Sequence, residues 1–170
     1  MDMVAMDFSE IYNRYARDVH RFALYLSGDY ALAEELTSET FVHALCGSAE
    51  LRVDTVKAYL FAIARNLYRD VRERERRNVS MANVPEQADL APTADRAAQD
   101  RQMLAAVLKA IQGLSEPLRE ALILSVDQDM GHEQIAAILG CSVPAVKVRI
   151  HRARAQLKLT LRGEEKTWRT

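Results

Sequence analysis

From Phe8 to Leu26, apolar residues recur at the spacing of one helix face: Phe8, Ile11, Tyr12, Tyr15, Val19, Phe22, Ala23 and Leu26. Ser27-Gly28-Asp29 interrupts this rhythm, because glycine takes the left-handed conformation that closes a helix. A second helix is predicted from Tyr30 to Leu45, with Ala31, Leu32, Leu36, Thr40 and Phe41 inward, followed by a loop over Gly47 to Asp54. A third, Thr55 to Arg77, carries Tyr59, Leu60, Ile63, Leu67 and Val71 on its apolar face and turns basic in its C-terminal half. The rhythm is lost over 78–94, where Asn83, Pro85, Pro92 and scattered acids read as a flexible linker. It returns from Ala94 to Gln112 through Met103, Leu104, Val107, Leu108 and Ile111. Ser115 then caps a helix carrying Leu118, Ala121, Leu122, Leu124 and Val126, with Pro117 in the first turn, where a missing N–H loses no bond.

The last third has the most specific pattern. A short apolar helix, His132 to Leu139, is followed by Gly140-Cys141-Ser142 and a longer helix from Val143, which together make a helix-turn-helix. Ala136 is small where the helices cross, Gly140 suits a positive φ, and Ser142 caps the second helix with Pro144 in its first turn. Ile135, Leu139, Val146 and Ile150 make the shared core. On a helical wheel, Val146, Ile150, Ala153 and Leu157 point inward. Lys147, His151, Arg154 and Lys158 form one flank, Arg149 and Arg152 the other, and Pro144 and Val148 lie opposite the core. Cations for phosphates and guanine edges, with an apolar strip for thymine methyls, are what a major-groove helix needs.

The dominance of helix formers over the 6 Gly and 4 Pro makes the fold class all-α, and 49% hydrophobic residues suffice for packed cores. The net charge of −1 argues against DNA binding until its distribution is considered. Residues 1–55 hold ten acids against four arginines. Residues 56–77 hold Lys57 and six arginines against three acids, and residues 143–162 hold six cations and no acid. Two basic segments in an acidic chain suit contact with a polyanion at two places. The N-terminus lacks the basic start of a signal peptide, and no run of about 18 apolar residues exists to span a bilayer. Cys46 and Cys141 make no disulfide framework. A cytoplasmic protein without membrane insertion is expected.

Val146-Lys147-Val148-Arg149-Ile150-His151-Arg152-Ala153-Arg154, with Ile135-Ala136 and Gly140 before it, resembles region four of the extracytoplasmic-function (ECF) sigma factors. Leu114 to Ala121 resembles the preceding helix of that region. Ala33-Glu34-Glu35-Leu36-Thr37-Ser38-Glu39-Thr40-Phe41 resembles the family's acidic region-two motif, and Ala58 to Asp70 its helix that opens and reads promoter DNA. The resemblance implies two small helical domains: region two over 1–77, a linker over 78–94, region four over 95–163 and a tail over 164–170. It implies that Glu34, Glu35, Glu39 and Phe41 bind core RNA polymerase. It implies further that Asn66 and the 47–54 loop hold a base flipped from the −10 element, and that Arg65, Arg69, Arg72, Arg76 and Arg77 track phosphates. Tyr59 fits either a stacking role at the melting point or the core. Pro144, Lys147, Val148, Arg149, His151, Arg152 and Arg154 would meet the −35 element, with Lys147, Val148, His151 and Arg152 foremost. An anti-sigma factor is the expected inhibitor. The chain differs from the family pattern at Thr37-Ser38, at Val148 and at Met130-Gly131-His132, which replaces a more usual Ser-Tyr pair.

No phosphate loop, nucleophile elbow or other catalytic constellation is present, so an enzyme with a small-molecule substrate is not expected, nor is a cofactor. His43 and Cys46 sit one helical turn apart, but a metal site would need two distant ligands as well. The alternative function is a stand-alone helix-turn-helix regulator, which would need a sensor or pairing helix in the first half. That half instead has an acidic patch followed by a basic helix.

Overall fold

The computed structural model describes residues 8–47, 55–78, 96–126 and 130–167. The predicted linker after Asn78, most of the predicted 47–54 loop and the end of the tail lie outside the described residues. Among the described residues there are seven helices and no strand: α1 Phe8–Ser27, α2 Tyr30–Cys46, α3 Val56–Asn78, α4 Arg96–Gln112, α5 Glu116–Val126, α6 His132–Leu139 and α7 Val143–Thr167. None of them is long and apolar enough to cross a membrane.

Helices α1, α2 and α3 pack on one another in the N-terminal half. Val19, Leu26, Leu36 and Leu60 are fully buried between them, and Phe22 stacks on Phe61 with ring centroids 4.6 Å apart. The turn from α1 to α2 is fixed by local polar chemistry. Gly28, at φ 71, donates its N–H to the Leu24 carbonyl at 2.7 Å, and Asp29 caps α2 by accepting from the Leu32 N–H at 3.1 Å. Thr55 likewise accepts from the Ala58 N–H at the start of α3.

In the C-terminal half, α7 lies against α5 and α6. Ile135, Leu139, Val146 and Ile150 form the expected core of the helix-turn-helix. Gly140 is left-handed at φ 62, and the Ser142 hydroxyl accepts from the Ala145 N–H at 3.3 Å. The start of α6 has only half a capping box: Gln134 accepts from the Gly131 N–H, and glycine has no side chain to reciprocate.

The two halves share one hydrophobic core, running from Ile11 to Ile150. This alters two sequence expectations. Helix α3 buries not one face but most of its circumference between Ala58 and Tyr68, because α1 and α2 cover one side and α6 the other. Ala33 takes the inward place expected of Ala31, while Tyr12, Met103 and Val126 are exposed.

The glycines make a test of this packing. A Cβ on Gly140 would meet nothing within 4 Å, so Gly140→Ala should cost only the left-handed strain, about 1–2 kcal/mol. A Cβ on Gly28 would come within 2.8 Å of Gln112 in the other half, so Gly28→Ala should destabilise more in urea unfolding. Equal costs would contradict the close approach of the halves.

Candidate nucleic-acid and polymerase interface

Helix α7 presents the outward face that its sequence implies. Pro144, Lys147, Val148, His151, Arg152 and Arg154 are exposed and Arg149 is half-buried, while Ala153 and Leu157 pack inward against Leu114, Leu118 and Leu122. Because α5 and α6 clamp the opposite side, the basic face is held on a rigid support.

On α2, Glu34, Glu35 and Glu39 are exposed, and the same side continues into Val42 and Leu45, each 57% exposed. This acidic surface with an apolar end suits docking against a basic helix with apolar edges. Val42 and Leu45 were not marked by the sequence pattern, since an isolated apolar residue near a helix end carries no periodic signal. Phe41 corrects an expectation. It is only 2% exposed, with its ring 4.9 Å from that of Tyr12 and 6.3 Å from that of Phe8. Its ring therefore supports the acidic face from below and is not part of the exposed surface.

Helix α3 carries the second basic surface. Asn66 is exposed and Tyr59 is half-buried against the core, and two residues before Tyr59 Lys57 is held by Asp18 of α1 at 2.9 Å. Beyond Asn66, Arg69, Arg72, Arg76 and Arg77 are engaged. Arg72 pairs with Glu75 at 2.7 Å, and Arg77 bonds Glu73, whose carboxyl it holds below the ordinary glutamate range. Arg69 and Arg76 both face Glu116 of α5, at 3.9 and 3.6 Å.

Arg65 departs furthest from the phosphate-tracking role expected of it. It is buried, donates to the Ile138 carbonyl of α6 at 3.0 Å, and sets its Nε 2.9 Å from Oε1 of Glu120. Neither of those two atoms makes a hydrogen bond, so the pair is held by proximity without good directionality. Burial explains the change: α6 covers the side of α3 from which Arg65 projects.

Beside this pair, Arg119 of α5 reaches into the N-terminal half. It donates to the Leu26 carbonyl at 2.9 Å, to the Tyr68 hydroxyl at 3.3 Å and to Gln112 Oε1 at 2.8 Å. Gln112 in turn donates to the Tyr25 carbonyl at 2.8 Å. Burial pushes the Tyr68 phenol above its ordinary range, with the Arg119 charge opposing it. Gln112, Glu116, Arg119 and Glu120 were missed by sequence reasoning, for which the one available signal was the i,i+4 pair of glutamates on α5. Among the described residues, no group of three or more His, Cys, Asp or Glu side chains is placed to hold a metal ion.

The sigma-70 region 2 family matches residues 11–78, and the sigma-70 region 4 family residues 104–157. The chain is 36% identical over 159 residues to the ECF RNA polymerase sigma factor SigL of Mycobacterium tuberculosis, covering 89% of this chain and 86% of that one. It is 32% identical to ECF RNA polymerase sigma factor SigE of Mycolicibacterium smegmatis over 92% of its own length, and spans 63% of that relative. The structure is similar to that of the sigma factor RpoE in complex with the anti-sigma factor NepR from Bartonella quintana. That match has a TM-score of 0.74 at 30% identity and covers 92% of this chain and 97% of the other.

The Arg65–Glu120 pair can be probed by a double-mutant cycle. Arg65→Met alone should destabilise by about 3–5 kcal/mol, because it strands a buried carboxylate. Arg65→Met with Glu120→Leu should recover most of that loss in urea unfolding, since replacing both charges by apolar groups is often neutral. Additive losses would contradict a buried coupled pair.

Proposed function

This chain belongs to the ECF RNA polymerase sigma factors, and we propose that it joins core RNA polymerase and directs initiation at one class of promoter. It is an initiation factor rather than an enzyme, and its work lies in the cytoplasm with the polymerase. Residues 1–77 act as region two, 78–94 as a linker, 95–163 as region four and 164–170 as a tail.

In this reading, Glu34, Glu35 and Glu39 of α2 meet the clamp helices of the polymerase's largest subunit. Charge complementarity of this kind steers docking and fixes register. Lys147, Val148, His151 and Arg152 of α7 enter the major groove at the −35 element, where Val148 offers an apolar contact to a thymine methyl. Asn66 offers both a donor and an acceptor to the edge of an unpaired base at the −10 element, with the 47–54 loop completing the pocket. Arg69, Arg72, Arg76 and Arg77 follow the phosphates, and Arg65 joins them only when α6 has left. Tyr59 supports the melting point from the edge of the core. An anti-sigma protein that covers these surfaces is the expected inhibitor.

The observation that carries the reading is the cationic outer face of α7 over residues 143–162, which hold no acid, mounted after a left-handed turn at Gly140 on a chain that also has an acidic α2 face. A stand-alone regulator would need a sensor or a pairing helix in the first half; α1 to α3 instead spend most of their apolar surface on their own core and on the second half, and the exposed Val42 and Leu45 end an acidic face.

Run-off transcription with purified core polymerase over a promoter library tests this function. A specific product is expected. Arg152→Ala and Lys147→Ala should each weaken upstream binding by about 1–3 kcal/mol with relaxed specificity, if they read bases. Tight operator binding without polymerase, and no promoter-specific product with it, would overturn the reading.

A further inference from the structure

The open side of α3 carries an acid that the fold does not use. Asp70 lies four residues after Asn66, one helical turn along the same side, and both are exposed. The charged residues around it have partners of their own. Arg69 turns to Glu116 of α5, Arg72 to Glu75 and Arg77 to Glu73. Among the described residues, Asn66 and Asp70 make neither a side-chain hydrogen bond nor an ion pair, and Arg74, one turn beyond Asp70, does not close on it. An amide and a carboxylate thus stand side by side, unengaged, on the helix that Asn66 marks as the base-reading one.

We propose that Asp70 is a specificity-determining residue of the −10 contact. It accepts a hydrogen bond from the exocyclic amine of an adenine or cytosine, and so selects amino bases against keto bases at one promoter position. The proposal rests on the reading of α3 as the −10 surface. A carboxylate on a helix that meets DNA repels phosphates, so it adds no general affinity. What it supplies is discrimination. An ionised carboxylate only accepts hydrogen bonds. The adenine N6 and cytosine N4 amines donate them, whereas guanine O6 and thymine O4 present lone pairs that the carboxylate repels. Each amine keeps an N–H free in the major groove when its base is paired and both when it is not, so the chemistry holds on either side of the melting point. Asn66 differs, because an amide has both a donor and an acceptor and adapts to any base edge. Four residues of helix span about 6 Å and successive bases lie about 3.4 Å apart, so Asp70 reaches a base about two steps from the one that Asn66 holds.

Run-off transcription by the full-length chain with core polymerase tests this, over a library in which each base of the −10 element and its flanks is varied in turn. The wild-type protein should favour adenine or cytosine over guanine or thymine about tenfold at one position, about two steps from the position that Asn66→Ala disturbs. Asp70→Asn keeps the size and adds a donor, so it should lower that preference to about twofold or less by gaining on the keto bases. Asp70→Ala should lower it by losing on the amino bases instead. An unchanged preference in both variants overturns the proposal. So does an equal rise on every sequence, which is the mark of a solvated acid that only repels phosphate. Asn66→Ala separates this failure from that of the wider reading. If it still alters selectivity at its own position, only the role of Asp70 is wrong; if it alters none while the promoter-specific product persists, the reading of α3 as the −10 surface fails as well.

Discussion

Helix α1 ends in carbonyls that are satisfied from the far half of the chain. The last carbonyls of any helix lack partners within it and carry the negative end of its dipole. Here Gly28 takes the Leu24 carbonyl, and Gln112 and Arg119 take those of Tyr25 and Leu26. A cation at a partly buried helix terminus contributes up to about 2 kcal/mol. The geometric consequence matters more: Arg119 reaches α1 only if α5 lies beside α3. That placement brings Glu116 and Glu120 onto the arginines and lays α6 over Arg65.

Helix α3 thus bears two incompatible demands. It must fold between α1 and α2, which Leu60, Phe61, Ala64 and Tyr68 secure by burial. The proposed function asks it also to keep a cationic flank for nucleic acid. In the structure much of that flank is paired from within the chain, by Glu116 and Glu120 of α5 and by Glu73 and Glu75 of α3 itself, while the acidic face of α2 stays exposed. A buried ion pair of imperfect geometry suits a reversible contact, because the cost of removing its charges from water is only partly offset by their attraction.

The helix-turn-helix was legible in the sequence because its determinants are local. Gly140, Ser142 and Pro144 announce the turn within five residues, and the inward set Val146, Ile150, Ala153 and Leu157 follows from periodicity. The helices of the first half were legible for the same reason. What periodicity could not give was the union of the halves, since Arg119 and Leu26 are 93 positions apart and Arg65 and Ile138 are 73 apart. A basic residue on an amphipathic helix reads as solvated or DNA-facing until its neighbour is known, and for Arg65 the neighbour is a buried glutamate. The burial of Phe41 was hidden in the same way. The residue follows a run of exposed acids, but the rings of Phe8 and Tyr12 draw it inward.

The packing of the two halves on one hydrophobic core, fastened through Arg119, places every surface described above, and Arg65 can meet nucleic acid only if that packing opens. This requirement is tested most directly by the distance between spin labels at Asn13→Cys on α1 and Ala155→Cys on α7, both exposed positions, with Cys46 and Cys141 replaced by serine. The free protein should show one narrow, short distance. Core polymerase with promoter DNA should replace it by a longer one. A broad distribution in the free protein, or the same short distance in the promoter complex, would contradict the account.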